Sequence, residues 1–299
     1  MRKILITGAG SYIGTSVERW LNQSQFASMY QTDTLDMQEE SWRNYDFSGY
    51  DTVFHVAGIA HVDIGKITKE QKKLYYSINC DLAVETANKA KAEDVKQFIY
   101  MSSIIVYGEG TSVKKKRVIT RETKPSPSNF YGDSKWMAEQ KLAPLGDDKF
   151  HVAILRPPMI YGEGCKGNYQ TLKKIALRAP MFPDFPNERS MLYIVNLCEF
   201  LRLLIESGEQ GIYFPQNAEY VRTSKMVNKI AEIHGRKIYM TKKLNSFLWL
   251  LSGGRGKCAK MLNKAFGNLV YDQELSDNKE QIGEYQIRSF EQALWATEK

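Results

Sequence analysis

The chain has few of the residues on which disulfide and metal chemistry depend. Its four cysteines, Cys80, Cys165, Cys198 and Cys258, are scattered along 299 residues with no close pair, and no Cys/His spacing suggests a zinc site. A disulfide framework and a structural metal are therefore excluded, and free thiols in a reducing cytoplasm are the expectation. Long apolar runs are missing too. The first, Ile4-Leu5-Ile6, passes directly into a glycine turn and reads as a strand, not as a signal peptide. Internal repeats and low-complexity tracts are absent. Acidic residues are lacking from one stretch: between Gly235 and Tyr271 there is no Asp or Glu, while Arg236, Lys237, Lys242, Lys243, Arg255, Lys257, Lys260 and Lys264 fall inside it. The formal net charge is +7, but no recognised nucleic-acid module accompanies it, so no nucleic-acid partner is expected.

What is present suffices for a substantial core, with 43% of residues hydrophobic and 25% charged. Up to about residue 160, apolar strands (3–7, 29–36, 52–57, 97–102 and 150–155) alternate with helical stretches, including a long one near 69–92. That alternation is the pattern of an α/β chain with a doubly wound parallel sheet. From about 161 onward, helical stretches near 168–178, 196–206 and 223–235 mix with short strands near 191–195 and 211–214. The expected organisation is a main domain over 1–160 and a smaller domain over 161–299, part of which returns to the main sheet.

The first fifteen residues carry a phosphate cradle. After the strand, Gly8 permits a positive φ, Gly10 leaves room for a pyrophosphate, and Gly14 lets the next helix sit close to the strand. The helix N-terminus, with Tyr12 and Ile13, can then receive the anion. Further on, Gln97–Ser103 is an apolar strand ending in two hydroxyls, Ser102 and Ser103. It is followed by a helix for which Ser126 reads as N-cap and Pro127 as first helical residue. Tyr131 and Lys135 fall at i and i+4 on that helix, so an ammonium near the phenol is expected to lower its pKa.

Glycine turn, Ser103 at a strand end and Tyr131/Lys135 on the next helix resemble, in that order, the short-chain dehydrogenase/reductase superfamily in its extended, nucleotide-sugar-modifying branch. The resemblance covers nearly the whole chain. It implies a Rossmann NAD(P)-binding domain and a C-terminal substrate domain, with Ser103, Tyr131 and Lys135 catalytic. By the same resemblance, His55-Val56-Ala57-Gly58 looks like the end of the strand beneath the cofactor, which puts Ala57 and Gly58 in the cofactor site. Asn79 matches the family's helix asparagine, and Leu155–Gly162 resembles the loop over the nicotinamide. Asn168 and Arg189 match residues that contact a UDP-sugar, the arginine at its diphosphate. A homodimer through the helices near 69–92 and 127–143 is also implied.

One departure stands out. The interval from Gly8 to His55 is about 25 residues shorter than in the family, roughly one αβ unit. The ribose-binding acid is left open between Asp33 and Asp36. Either carboxylate would repel a 2′-phosphate, which favours NAD(H) while leaving NADP(H) open. The Asp-Glu pair that the resemblance implies for a 4,6-dehydratase is replaced by Ile104 and Ile105, which cannot act as acid or base and so argue against dehydration. The expectation is oxidoreduction at C4 of a UDP-hexose or UDP-N-acetylhexosamine for surface polysaccharide, first as reduction of a UDP-4-keto-6-deoxy sugar. The alternative is a UDP-glucose/UDP-GlcNAc 4-epimerase with tightly bound NAD. A remote alternative, a non-catalytic NAD(P)-binding sensor, sits poorly with an intact Ser103/Tyr131/Lys135 set. Three readings of the basic 235–271 segment stay open: a core helix over the substrate pocket with a solvated flank, peripheral contact with an anionic membrane, or steering of UDP-sugars.

Overall fold

A computed structural model describes residues 1–60, 68–109, 111–254 and 256–299. Arg255 of the basic segment lies outside the described residues. Six parallel strands build the main sheet: β1 (Arg2–Thr7), β2 (Tyr30–Leu35), β3 (Thr52–His55), β4 (Gln97–Met101), β6 (His151–Leu155) and β10 (Gly211–Tyr213), in the order β10-β6-β4-β3-β1-β2. The protein is therefore a doubly wound α/β fold. Three short parallel pairs stand apart: β5 (Arg117–Ile119) with β12 (Leu269–Tyr271), β7 (Met159–Tyr161) with β9 (Met191–Tyr193), and β8 (Met181–Pro183) with β11 (Tyr239–Thr241).

Alternation along the strands explains why both faces are covered. Ile4 and Ile6 point into one core with Val17 and Leu21 of α1 (Tyr12–Leu21) and Leu197, Phe200 and Leu201 of α6 (Ile194–Ser207). Leu5 points the other way, into a second core with Ala83, Ala87 and Ala90 of α3 (Leu82–Ala92) and Ala138 and Leu142 of α4 (Phe130–Leu142). Strands apolar on both faces are stable only when helices cover both, as parallel crossovers require. The small alanine stripe on α3 lets that helix lie close to the sheet.

Sequence order along the sheet reverses between β1 and β3: the chain goes outward from β1 to β2, then crosses to β3 on the other side. Thr7 is in register with Leu35 and His55, and His55 with Tyr100, so the strand ends are level there. A crevice at such a switch point is where doubly wound sheets bind ligands. The shortened interval shows as a truncated sheet. Among the described residues there is no strand beyond β2 in this sheet, and only a 3₁₀ turn, Glu40–Asn44, lies between β2 and β3. The remaining helices are α2 (Lys69–Tyr76), α5 (Asn168–Arg178), α7 (Thr223–Ile233), α8 (Asn245–Ser252), α9 (Lys257–Phe266), α10 (Lys279–Ile282) and α11 (Phe290–Glu298).

Candidate active site

Each glycine of the first turn has a distinct spatial reason. Gly8 has φ +97°, and a Cβ there would stand 2.8 Å from the Ala57 backbone nitrogen, so it brings β1 against the end of β3. Gly10 has φ +72° and open space where its side chain would be, the room a pyrophosphate needs. A Cβ on Gly14 would meet Val56 at 3.2 Å and Ile6 at 3.3 Å, which fixes how closely α1 packs on the sheet. Ser11 caps that helix by accepting from the Gly14 N–H at 3.1 Å. The Tyr12 and Ile13 N–H groups keep no acceptor among the described residues and face the turn as anion donors. The buried Tyr12 hydroxyl also lacks a partner there. This donor set fits a dinucleotide.

The two acids are not equivalent. Asp33 lies within β2, level with Leu5, and accepts from the Tyr50 hydroxyl at 2.8 Å. Asp36 follows the last strand residue, Leu35, whose carbonyl accepts from Gly8 and Ala9 at the cradle itself. Asp36 is exposed and binds only the Gln38 N–H, at 3.0 Å, among the described residues. It is the acid at the mouth of the turn, whereas the carboxylate of Asp33 is engaged by a phenol.

Ser103, Tyr131, Lys135, Asn79 and Gly58 come together. Ser103 follows β4 and hydrogen-bonds the Tyr131 phenol, which lowers the phenol's pKa; burial outweighs this and pushes it up to about 12. The expected lowering by Lys135 is therefore not what governs the phenol in this chain. Lys135 is buried, and its Nζ donates to the Met101 carbonyl at 2.8 Å and lies 4.7 Å from the Tyr100 ring centroid. Desolvation lowers its pKa to about 7 against an opposing pull from Glu139. A Cβ on Gly58 would be 3.0 Å from Asn79 Oδ1 and 3.2 Å from Lys135 Nζ, so a larger residue there would press on both site side chains.

Asn79 sits in a π-helical turn, Ser77–Asp81, between α2 and α3. Its Oδ1 accepts from Ile59 N–H at 2.8 Å, and its Nδ2 donates to the Ile59 carbonyl and to Ser134 Oγ, both at 3.1 Å. With its amide fully engaged, Asn79 pins the loop after β3 to α4 and acts as a positioning residue beside the cofactor site. His55 is buried, stacked on Phe98 and Tyr100 at 5.8 and 6.1 Å, with Nδ1 2.9 Å from Thr7 Oγ1. Burial pushes its pKa down to about 3, so the ring is neutral.

The cap of α4 differs from expectation. Asn129, not Ser126, caps it, accepting from Gly132 N–H at 2.8 Å, and the helix starts at Phe130. The Ser126 backbone is drawn away by the Val106 carbonyl, to which its N–H donates at 2.9 Å. Sequence reasoning also missed a buried network: Arg156 donates through Nε to both Glu139 oxygens at 3.1 and 3.0 Å and through Nη1 to Tyr107 at 2.6 Å, while Ser102 donates to Glu139. The signal was available, because Glu139 continues the Tyr131, Lys135 stripe by another four residues. On the far side, Arg189 is partly buried, bonds the Lys264 carbonyl, and forms no ion pair among the described residues. Asn168 is an exposed first residue of α5 and is not joined to the cluster by any described hydrogen bond.

The model of the NAD dependent epimerase/dehydratase family matches residues 4–214. The chain belongs to this family. Its members' NAD dependence agrees with the cradle described above, and the chain is an enzyme of that sugar-modifying class. Among curated relatives, a UDP-glucose 4-epimerase of Vibrio cholerae is 28% identical over 285 residues, covering 89% of this chain and 83% of its own. An N-acetyl-α-D-glucosaminyl-diphospho-ditrans,octacis-undecaprenol 4-epimerase of Escherichia coli is 25% identical over 252 residues, covering 79% and 73%. Among solved structures, a UDP-glucose 4-epimerase with UDP-glucose from Thermotoga maritima has a TM-score of 0.73 at 19% identity, covering 99% of this chain and 97% of that one. No described helix is long and apolar enough to cross a membrane.

Proposed function

We propose that the enzyme reduces the C4 ketone of a UDP-linked 4-keto-6-deoxy sugar, a precursor of surface polysaccharide. A bound reduced nicotinamide dinucleotide supplies the hydride. Tyr131, whose pKa near 12 keeps the phenol protonated at neutral pH, delivers the proton to the sugar O4. Ser103, which stands against Tyr131, turns its single hydroxyl hydrogen from the phenol to the same oxygen when the ketone is bound and holds it in line with the phenol. Lys135 and the Asn79 staple fix the helix and loop on which Tyr131 and Gly58 stand. Ile104 and Ile105 offer no acid or base beside Ser103, so the chemistry is confined to ketone and alcohol. Arg189, which forms no ion pair among the described residues, suits the diphosphate that the substrates named for the two relatives share.

The observation that carries the direction of the reaction is the truncated sheet. With β2 as the edge strand among the described residues, and Asp36 exposed at the mouth of the cradle, the adenosine side lacks the αβ unit that would enclose it. A reductase exchanges its cofactor every turnover and tolerates an open site; an epimerase must retain it. Epimerisation at C4 is the second reading, favoured by the relatives' activities. The two are separated by giving the purified protein, without added cofactor, UDP-Glc and UDP-GlcNAc. Equilibration with UDP-Gal or UDP-GalNAc would refute the reductase. The expected result is none, together with stoichiometric oxidation of added NAD(P)H by a UDP-4-keto-6-deoxy-HexNAc.

A further inference from the structure

The segment without acidic residues folds into a helical pair whose apolar residues face outward. Of the five apolar residues Phe247–Leu251 in α8, only Leu248 is buried; Phe247, Trp249 and Leu250 are 59, 52 and 67% exposed, and Leu251 is exposed as well. A core helix over the substrate pocket would bury them. In α9, Met261 is 66% exposed, while Ala259 and Phe266 face inward. Five of the exposed large apolar side chains of the described chain thus fall within fifteen residues, a clustering that a solvated flank does not produce.

The pair is firmly held. Asn263 accepts from Val113 N–H at 2.9 Å and donates to the Ser252 carbonyl at 2.8 Å, which locks α9 to the end of α8 and to the 111–113 loop. That loop adds charge that the linear sequence does not place there: Lys114 Nζ stands 4.0 Å from the Trp249 ring centroid, and Lys114 and Lys115 are exposed. With Lys242, Lys243, Lys257, Lys260 and Lys264, all exposed, an apolar ridge is flanked by cations and by no acid from its own segment. A soluble protein partner would need an acidic surface and an apolar groove together. An anionic bilayer provides both, with phosphates over acyl chains, and binds amphipathic basic helices of this composition.

We propose that α8–α9 is an interfacial docking surface for an anionic phospholipid bilayer. Phe247, Trp249, Leu250 and Leu251 enter the boundary between headgroups and acyl chains, and Lys114, Lys257 and Lys260 meet the phosphates. The C-terminal end of α9 also bonds Arg189 through the Lys264 carbonyl, so docking lies one hydrogen bond from the candidate diphosphate arm. The inference does not depend on which sugar is turned over.

The test is flotation of the full chain with vesicles of phosphatidylcholine alone or mixed with phosphatidylglycerol. The wild type is expected to float with the mixed vesicles, to remain largely free with the neutral ones, and to detach as salt rises. Leu250→Asp combined with Leu251→Asp, at exposed positions that leave the core intact, is expected to abolish flotation. Lys257→Gln with Lys260→Gln should reduce partitioning at least about tenfold, since each lysine near an anionic surface is worth roughly a factor of five. Trp249 emission should shift to the blue only with anionic vesicles, and Trp249→Phe should remove the shift. A wild type that stays free of anionic vesicles, equal binding to neutral ones, or an Asp variant that still floats would each overturn the proposal. So would a concentration-dependent dimer that the Asp variant converts to monomer without any vesicle binding by the wild type, since a second copy would then own the face.

Discussion

Replacing Lys135 with Met is expected to raise stability while abolishing function. Lys135 is 6% exposed, and its pKa falls from 10.5 to about 7 because burial penalises the ammonium. That difference corresponds to about 5 kcal/mol between the protonation states. Between about pH 7 and 10.5 the unfolded chain holds a proton on Lys135 that the folded chain has released, so wild-type stability rises with pH through that window. The burden on the fold is complete below pH 7 and gone above 10.5. Methionine keeps the apolar stem but removes the donor to the Met101 carbonyl, a loss of roughly 1–3 kcal/mol. The net gain at pH 7 is then about 2–4 kcal/mol, shrinking by about 1.4 kcal/mol per pH unit and reversing between about pH 8.5 and 10. Parallel urea titrations of both proteins between about pH 7 and 10 measure it. A stability difference independent of pH, or a variant less stable at pH 7, would refute the reasoning. Turnover and cofactor affinity should both drop, because the amine is part of the site and holds the end of β4; a purely kinetic or purely binding defect would contradict that double role.

Tyr131→Phe should leave cofactor binding nearly intact and lower turnover at least about a hundredfold, since only the transferred proton is lost; near-wild-type turnover would remove Tyr131 from the mechanism. Arg189→Ala should weaken UDP binding about tenfold with little change in cofactor affinity, and equal affinity by calorimetry would dissociate Arg189 from the diphosphate. Asp36→Ala should weaken NAD binding about tenfold, as lost hydrogen bonds to the ribose would, whereas Asp33→Ala should not; the opposite ranking would give the ribose to Asp33.

Local rules carried much of the fold and of the site. The Ile4-Leu5-Ile6 strand, the glycine turn and the helix after it were legible because each depends on backbone freedom and on neighbours a few residues away. Tyr131 and Lys135 were legible as a pair because helical spacing alone puts them on one face. The same stripe extends to Glu139, but nothing in the sequence says that Arg156, seventeen residues on, closes on it, since that pairing exists only where β6 meets α4.

The amino-acid sequence by itself determined the strand-helix alternation, the phosphate cradle, the hydroxyl-phenol-amine set and the short Gly8–His55 interval, since local pattern and spacing specify each of them. Only the tertiary structure distinguishes the surroundings of Asp33 and Asp36, because they depend on where β2 ends beside the cradle and on a Tyr50 phenol seventeen residues away. It also decided the titration of Tyr131, where burial outweighs the Ser103 hydrogen bond. The same holds for the orientation of α8, whose apolar residues would suit a core equally well by sequence. Burial, register and desolvation are properties of what surrounds a residue, and the surroundings are assembled from distant parts of the chain.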